Sequence, residues 1–287
     1  MNALLRSLRP HQWSKNLLLA VPAISAQVWM NDGVPRALLI GFVAFSLAAS
    51  GGYLLNDLID IRADRDHPAK RHRPFASGQL SRVWALAGGP LLMISAMVLA
   101  FGAVGRSFGA VLVTYVVLTT LYSLVLKRQL LLDVIVLAGL YALRLLAGGA
   151  AADVVVSSWL LAFSMFFFLS IAFAKRLVEL ESTTTESSSR AYLGVDRDAI
   201  RAVGPACGLL SILVLALYIN SAAVLSVYGE PRVLWLLCPL LLYWILRLWF
   251  LAIRGELHHD PVVFALRDKV SYAVAAGTIP VLYLASQ

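Results

Sequence analysis

Residues 56–78, NDLIDIRADRDHPAKRHRPFASG, carry the densest concentration of charge in this chain. If the helix entering them continues at about 100° per residue, Asp57, Asp60 and Asp64 stand at about 0°, 300° and 340° and share one face. Carboxylates this close repel one another unless a cation lies between them. A solvated helix end is the alternative. The aspartates directly follow an apolar run suited to lipid, however, where ionisable groups are usually functional. The spacing therefore predicts a metal site, with Asn56 beside it.

The loop that follows the aspartates is basic. Pro68 is predicted to end the helix, and KRHRPFASG comes after it. Magnesium can bridge carboxylates and phosphate oxygens, while lysine and arginine neutralise the remaining phosphate charge. Lys70 and Arg73 are therefore candidate phosphate ligands. The alternative for one or two of these basic residues is positive charge that only orients the chain in the membrane.

Other polar residues interrupt or end apolar runs. Lys15 is predicted either to reach the same pocket or to extend to the membrane surface. Tyr122 and Lys127 end the fourth apolar run, at the level of the aspartates. Arg144 lies inside the fifth run. A buried arginine needs an anionic partner, either a carboxylate such as Asp133 or Asp57, or a bound phosphate.

A second charged stretch, AKRLVELES, follows the sixth apolar run. Lys175 and Glu179 are four residues apart, so the spacing predicts either a salt bridge at the helix end or one face of a binding site. The next segment, STTTESSS (residues 182–189), is predicted to be a polar loop, either a lid or a linker. His258, His259 and Asp260 have metal-binding atoms, but their spacing does not favour a metal site.

The composition excludes an ordinary soluble domain. Hydrophobic residues make up 60% of the 287 residues and charged residues 14%, and the mean hydropathy is +0.79. A membrane span needs about 20 apolar residues. Such runs predict an all-α polytopic membrane protein with about nine transmembrane helices, near residues 16–34, 36–55, 83–104, 108–126, 130–152, 157–178, 201–223, 233–253 and 269–286.

The charges orient the bundle. With nine spans, most lysines, arginines and acidic residues fall on the side of the N-terminus. The positive-inside rule places that side in the cytoplasm, which predicts a multi-pass protein of the inner membrane with its active site facing the cytoplasm. Insertion, membrane lipids and anionic substrates explain the net charge of +8, so nucleic acid need not be invoked.

Several motifs together resemble the UbiA superfamily of intramembrane prenyltransferases. They are RPHQWSKN at residues 9–16, NDxxDxxxD at residues 56–64, HPxKRxRPxAxG at residues 67–78 and YxLxLK ending at Lys127. The resemblance covers essentially the whole chain. It implies an all-α bundle around a central cavity beneath cytoplasmic cap loops. It also implies that the aspartates bind a diphosphate through Mg²⁺ and that a lipid tail leaves sideways into the bilayer.

The motif after the sixth run departs from the aromatic prenyltransferases of the superfamily. Those enzymes carry a second aspartate-rich motif, whereas this chain has KRxxE, with Lys175, Arg176 and Glu179. Together with ALRD at residues 265–268, this is similar to the branch typified by decaprenyl-phosphate phosphoribosyltransferase. That reaction brings a diphosphate, a 5-phosphate and a lipid phosphate into one site, which favours lysine and arginine over carboxylates.

The resemblance implies Mg²⁺-dependent transfer of 5-phosphoribosyl from phosphoribosyl pyrophosphate to a polyprenyl phosphate. In this hypothesis Asp57, Asp60 and Asp64 hold magnesium on the donor diphosphate. The phosphate contacts would come from Lys70, Arg73, Lys127, Arg144, Lys175 and Arg176.

Two other functions stay open. One is transfer of an isoprenyl group from a prenyl diphosphate to an aromatic or other acceptor. The other is a transporter or lipid-binding scaffold, which is disfavoured because no internal repeat is evident and the charge lies at one end. We expect residues 1–287 to form a single transferase domain with nothing preceding it, and a homo-oligomer stays open.

Overall fold

The computed structural model describes residues 3–66, 70–182, 191–225, 227–257 and 260–287. Within these ranges the chain forms helices, turns and loops and contains no β-strand. The all-α prediction is therefore confirmed. The chain divides into two compact units, one of Met1–Val136 with Leu140–Val156 and the other of Leu137–Gly139 with Ser157–Gln287. The single transferase domain stays a prediction.

The first unit begins with irregular helical segments and continues with long apolar helices. A long 3-10 helix, Pro10–Ala20, lies between α1 and α2, short 3-10 helices are formed by Lys70–His72 and Leu126–Arg128, and a π-helical turn, Ala100–Val104, follows α6. The α-helices are α1 (Ala3–Leu8), α2 (Val21–Ser25), α3 (Val34–Ile59), α4 (Ile61–Asp66), α5 (Val83–Leu86), α6 (Gly88–Leu99), α7 (Arg106–Leu124) and α8 (Leu132–Ala152).

The second unit consists mainly of four long helices with short helices between them. Its α-helices are α9 (Ser158–Ser182), α10 (Arg197–Ile219), α11 (Ala222–Leu225), α12 (Leu237–Ile253), α13 (Pro261–Ala265) and α14 (Lys269–Ala285). The core joins α9, α10 and α12 around Trp249. The Trp249 indole donates to Ser170 Oγ over 2.8 Å, and that hydroxyl donates to the Gly204 carbonyl over 2.7 Å. A Cβ at Gly204 would lie 2.1 Å from the Trp249 ring, so the helix requires glycine there.

Seven helical stretches in the described ranges are long and apolar enough to cross a membrane. They are Val34–Ile59, Val83–Val104, Arg106–Leu124, Leu132–Ala152, Ser158–Glu181, Gly194–Ile219 and Pro231–Ile253. Helix α14 is apolar but shorter, with 17 residues. These lengths agree with an integral membrane protein.

The prediction of nine spans is not confirmed, because the first predicted span is not one helix. Residues 16–34 contain the end of the 3-10 helix, the five-residue α2 and a non-helical segment with positive φ at Gln27 and Gly33. Pro22 lies in the first turn of α2. A proline lacks the amide hydrogen that a continuing helix would need, so it favours a new helix start.

Helix α3 organises the first unit. Its small residues allow α6 to approach so closely that a Cβ at Gly51 would lie 2.7 Å from the Gly89 carbonyl oxygen. Phe45 and Phe108, each at most 1% exposed, pack edge to face with ring centroids 5.8 Å apart. Small side chains thus bring α3 and α6 together, and aromatic packing fills the adjoining space.

Helix α8 and the 3-10 helix Pro10–Ala20 are in such close contact that one methyl group added between them should lower the stability of the protein. A Cβ at Gly148 would lie 2.0 Å from the backbone carbonyl oxygen of Leu19, and backbone cannot move away as a side chain can. We expect Gly148→Ala to destabilise the protein by about 1–3 kcal/mol. Thermal unfolding in detergent measures this, with Gly139→Ala in the same helix as the control.

The control site is open, because no heavy atom lies within 4 Å of a Cβ built at Gly139. Alanine there should leave stability unchanged or raise it by up to about 1 kcal/mol, since glycine is the weaker helix former. Equal melting temperatures for the two variants would contradict the close approach at Gly148.

Candidate active site

The acidic stretch lies at a bend between α3 and α4. Asp60 ends α3 with φ −90° and ψ 5°, and α4 starts at Ile61. The Asp64 amide still donates to the Asp60 carbonyl over 2.8 Å, so the chain bends without unwinding. Asp57 and Asp64 are seven residues apart, about two turns, and lie on the same side. They are 2% and 4% exposed.

Arg73 joins these two buried carboxylates. Its Nη1 donates to Asp64 Oδ2 over 2.8 Å and to Asp57 Oδ1 over 3.3 Å. The loop that carries Arg73 is held by Phe75, which is 3% exposed and belongs to the same apolar cluster as Ile61. Burial of the phenyl ring thus fixes the loop and directs the guanidinium to the aspartates.

Asp60 has a different cationic partner. Lys127, from the short 3-10 helix Leu126–Arg128 after α7, is 2% exposed, and its Nζ lies 2.6 Å from both carboxylate oxygens of Asp60. The same ammonium donates to Asn56 Oδ1 over 3.2 Å. A buried lysine usually requires such a counter-charge, because an isolated ammonium is costly to remove from water. Asn56, Asp60 and Lys127 therefore form one polar group.

A third cation, which the sequence interpretation counted only among the orienting charges, reaches Asp57. Arg9 Nη2 donates to Asp57 Oδ1 over 2.5 Å, and the guanidinium lies 4.9 Å from the centre of the Tyr53 ring. The available signal was its place at the start of RPHQWSKN. The direction of its side chain, however, depends on a left-handed backbone conformation at Arg9, which no spacing rule predicts.

The electrostatic environment of Asp64 combines burial with opposing charges. Burial raises the pKa of the Asp64 carboxyl above its ordinary value, the neighbouring Arg73 acts in the opposite direction, and the charge of Asp57 raises it further. The positive charge of Lys70 also lowers this pKa. A bound cation would favour the ionised carboxylate in the same way as the arginine does.

The donor set fits a hard divalent cation at Asp57 and Asp64. Both carboxylates lie within hydrogen-bond distance of a single cationic atom, Arg73 Nη1, so their oxygens converge on one position. Carboxylate oxygens are the protein ligands that Mg²⁺ prefers, with water and substrate phosphates supplying the rest. Among the described residues, no group of three or more His, Cys, Asp or Glu side chains is arranged around one ion. The fit is therefore to two carboxylates, with Asp60 held by Lys127.

Arg144 belongs to a separate polar cluster inside the first unit. Its three hydrogen bonds go to the Asn16 Oδ1 at 2.9 Å, the Leu140 carbonyl at 2.7 Å and the Tyr115 hydroxyl at 3.1 Å. The guanidinium also lies over the Tyr115 and Tyr141 rings. The expectation that Asp133 or Asp57 pairs with Arg144 is wrong: within the described ranges, amide, phenol and carbonyl oxygens satisfy the guanidinium.

Lys15 and Tyr122 complete the predicted residues of the first unit. The Lys15 ammonium lies 5.7 Å from the centre of the Tyr141 ring. Tyr141 therefore lies close to both Lys15 and Arg144. Tyr122 is half-buried two residues before the end of α7. Their roles as substrate-binding residues stay predictions.

These contacts predict that Arg144 is important for folding. Replacing Arg144 by leucine removes the donor from three buried acceptors, and each unsatisfied group costs about 1–3 kcal/mol. We expect Arg144→Leu to lower the melting temperature markedly in detergent. Tyr115→Phe, which removes one of the three bonds, should cost about 1 kcal/mol. A fully stable but inactive Arg144→Leu protein would contradict the structural role and favour phosphate binding.

The second unit pairs its charged residues differently from the sequence prediction. Lys175 Nζ lies 3.1 Å from Asp260 Oδ2, whereas Glu179 accepts from Arg176, which is 1% exposed. The predicted salt bridge between Lys175 and Glu179 is therefore wrong, because a residue distant in sequence pairs with Lys175. His258, His259 and residues 183–189 of the predicted polar loop lie outside the described residues, as do His67 and Pro68.

A further ion pair in the second unit was missed by sequence reasoning. Arg247 donates to both carboxylate oxygens of Asp268, over 2.7 and 3.0 Å. Asp268 also caps α14 by accepting from the Ser271 amide and hydroxyl. Burial acts to raise the pKa of the Asp268 carboxyl, but the bonds from Arg247 and Ser271 outweigh it and lower the pKa. The signal in the sequence was a single arginine, Arg247, inside an apolar run, together with an aspartate, Asp268, at the start of the next apolar run.

Among curated proteins, two relatives match nearly all of the chain. The uncharacterized protein y4nM of Sinorhizobium fredii is 36% identical over 280 residues, covering 95% of this chain and 54% of y4nM. The nodulation protein NoeC of Azorhizobium caulinodans is 34% identical over 292 residues, covering 97% and 93%. This chain thus spans about half the length of y4nM.

A third relative matches part of the chain. The decaprenyl-phosphate phosphoribosyltransferase of Mycolicibacterium smegmatis is 36% identical over 185 residues, which cover 63% of this chain and 58% of the relative. Among solved structures, a UbiA homolog from Archaeoglobus fulgidus bound to GPP and Mg²⁺ has a TM-score of 0.76 at 16% identity, covering 98% of this chain and 99% of that chain. At this identity the match shows the shared fold.

The family model described as UbiA prenyltransferase family matches residues 19–269. The match extends from the 3-10 helix to the start of α14, and so includes the acidic stretch, Lys127 and the KRxxE motif. The resemblance read from the motifs is confirmed: this chain is an integral membrane protein that belongs to the UbiA prenyltransferase family.

Proposed function

We propose that this protein transfers 5-phosphoribosyl from phosphoribosyl pyrophosphate to a polyprenyl phosphate and releases pyrophosphate. The observation that carries the proposal is the pairing of the acidic site with cations. Asp57, Asp60 and Asp64 contact Arg9, Arg73 and Lys127. When a metal takes carboxylate charge, these cations become available to phosphate oxygens, and a reaction with several phosphate groups needs such an excess.

The reaction requires little acid or base chemistry. An oxygen of the lipid phosphate attacks the anomeric carbon of the ribose, while the bond from that carbon to the diphosphate breaks and its electron pair leaves with pyrophosphate. The nucleophile is already ionised, so positioning and charge neutralisation account for most of the catalysis. Mg²⁺ bound by the aspartates would neutralise the leaving group.

The protein residues hold the reacting groups. We assign Asp57 and Asp64 to the metal, with Asp60 oriented by Lys127 and Asn56 beside it. Lys70, Arg73 and Lys127 would contact the donor phosphates. In the second unit we keep Lys175 and Arg176 as phosphate ligands, with Glu179 orienting Arg176. We place the protein in the inner membrane with this chemistry facing the cytoplasm.

Relatives support the choice of donor. The relative from Mycolicibacterium smegmatis is named for phosphoribosyl transfer to decaprenyl phosphate. Prenyl transfer from a diphosphate is the rival, because solved structures with the same fold contain GPP or DMAPP with Mg²⁺. Since those structures share only 16% and 15% identity with this chain, they support a diphosphate and a metal more than a particular donor.

A labelled-donor assay tests the proposal. Membranes containing the protein are incubated with Mg²⁺, polyprenyl phosphate and phosphoribosyl pyrophosphate labelled in the ribose. We expect labelled lipid and one pyrophosphate for each lipid formed, and neither without Mg²⁺. A parallel incubation supplies labelled geranyl diphosphate and an aromatic acceptor. Turnover of the prenyl diphosphate, with no labelled phosphoribosyl lipid, would establish the rival reaction instead.

A further inference from the structure

Arg9 has an unfavourable backbone conformation. Its φ of 51° and ψ of 58° lie in the left-handed region, which a non-glycine residue adopts at a conformational cost. Pro10 follows, and a residue before proline is normally extended. Such a conformation persists where the surroundings enforce it, and it is found mostly at functional positions. The question is what this backbone conformation achieves.

The conformation directs Arg9 to the acidic site. The guanidinium contacts Asp57 and lies over Tyr53, while the side chain keeps 20% of its surface exposed. The carboxylate is 2% exposed. Thus the acidic partner is buried but the arginine retains access to solvent. Without large rearrangement, the arginine side chain can leave the carboxylate, whereas Asp57 cannot leave the site.

The segment that carries Arg9 is anchored separately from this contact. We call residues 9–20 the N-terminal arm. Trp13 donates to Ser50 Oγ over 3.0 Å, and that hydroxyl donates to the Leu8 carbonyl over 3.0 Å. Asn16 donates to Ser46 Oγ over 3.0 Å and accepts from Arg144. Because these bonds hold the arm, loss of the Arg9 pair should not release it.

We propose that Arg9 is a further phosphate-binding residue that exchanges partners when metal binds. Before metal binds, its guanidinium neutralises Asp57. When a divalent cation takes that carboxylate, Arg9 turns to the oxygens of the diphosphate held by the metal. Its planar fork of donors suits a phosphate, and its partial exposure permits the turn. This inference rests on the proposed function only in that a metal-bound diphosphate occupies the site beside Asp57.

Two binding measurements on the purified full-length protein in lipid nanodiscs test the exchange. The first titrates Mn²⁺ by paramagnetic resonance without any phosphate present. Arg9→Gln removes one of the two cations that pair with Asp57, so we expect several-fold tighter Mn²⁺ binding than in the wild type. The second measures binding of labelled inorganic pyrophosphate with saturating Mg²⁺. Here the same variant should bind about 10- to 100-fold more weakly, since a charge-assisted hydrogen bond is lost.

The opposite signs of these effects separate the proposal from simple damage to the fold. Arg62→Gln, at an exposed position of α4, removes the same charge from the acidic stretch itself and should match the wild type in both measurements. Arg9→Lys keeps the charge but lacks the fork. It should bind Mn²⁺ as the wild type does and bind pyrophosphate with intermediate affinity.

Unchanged or weaker Mn²⁺ binding in Arg9→Gln, or unchanged pyrophosphate binding, would overturn the proposal. If Arg9→Gln does not fold, Arg9→Lys decides, and pyrophosphate affinity equal to that of the wild type would overturn it. Neither measurement uses phosphoribosyl pyrophosphate or polyprenyl phosphate. Failure of the phosphoribosyl assay with intact binding effects would therefore reject the donor assignment and leave the role of Arg9 standing.

Discussion

Asp57→Asn is expected to reduce transfer by at least about 100-fold, since even residues behind a metal ligand contribute about 10- to 100-fold. Asparagine has nearly the same shape as aspartate but lacks the charge that would hold a metal. The protein should stay folded, because the two arginines left behind are 20% and 27% exposed and can be hydrated. The measurement is kcat/KM for the labelled donor, with size-exclusion chromatography and thermal unfolding as tests of folding.

The matched control for this substitution is Asp66→Asn. Asp66 belongs to the same acidic stretch but is exposed at the end of α4. The Asp66→Asn substitution removes the same charge from the same stretch. A general electrostatic effect would therefore reduce the activities of the Asp57→Asn and Asp66→Asn variants equally. Full activity of Asp57→Asn, measured beside this control, would remove Asp57 from the proposed metal ligands.

Lys127→Met is expected to cause a large loss of stability, together with loss of activity. It leaves the Asp60 carboxylate without the ammonium that contacts both oxygens at 2.6 Å. Breaking a buried ion pair costs about 3–5 kcal/mol, and we expect the lower end because the Asp60 side chain is 18% exposed. Reversible unfolding in mixed detergent gives the free energy.

A double variant isolates the ion pair from other roles of Lys127. In Lys127→Met with Asp60→Asn no charge is left unpaired, so stability should recover most of the loss, whereas activity should not return. Asp60→Asn alone should also be inactive and should itself lose stability, because it leaves the buried Lys127 ammonium without its counter-charge. If the two stability losses simply add, Lys127 and Asp60 are not coupled and the pairing has no energetic role.

The acidic site shows which contacts spacing can predict. Asp57 and Asp64 meet at Arg73 because seven residues make about two helical turns, a local regularity that any helix obeys. The cation beside Asp60 is 67 residues away in sequence. That pairing depends on how the loop after α7 packs, so spacing could nominate Lys127 as a site residue but could not identify its partner.

Errors in the charge assignments have a common physical cause. The i,i+4 rule favoured Glu179 for Lys175, but a helix-surface pair contributes little, and Asp260 lies closer in the folded chain. For Arg144, the expectation of a carboxylate partner neglected neutral acceptors and aromatic faces, which together satisfy a guanidinium. Local rules give residue types and faces, whereas partners follow from tertiary packing.

The sequence predicted the membrane helices correctly wherever one apolar run forms one helix. Helices α7, α8 and α9 lie within a few residues of the predicted runs. The prediction of one continuous span over residues 16–34 is not confirmed, because average hydropathy gives no information on backbone hydrogen bonding. A window of apolar residues does not reveal that a proline restarts the helix or that Gln27 and Gly33 adopt positive φ.

The 3-10 winding of the N-terminal arm sets how far that segment extends. A 3-10 helix rises about 2.0 Å per residue and an α-helix about 1.5 Å. The six steps from Asn16, anchored at Arg144, back to Pro10 therefore extend about 12 Å instead of about 9 Å. Rewinding the same residues as an α-helix would withdraw the Arg9 guanidinium by about 3 Å, beyond hydrogen-bond distance. The rise per residue of this 3-10 helix thus sets the distance between Arg9 and Asn16. Substitutions in the arm that favour α-helix should separate the Arg9–Asp57 contact from the Asn16–Arg144 contact without replacing any residue that makes them.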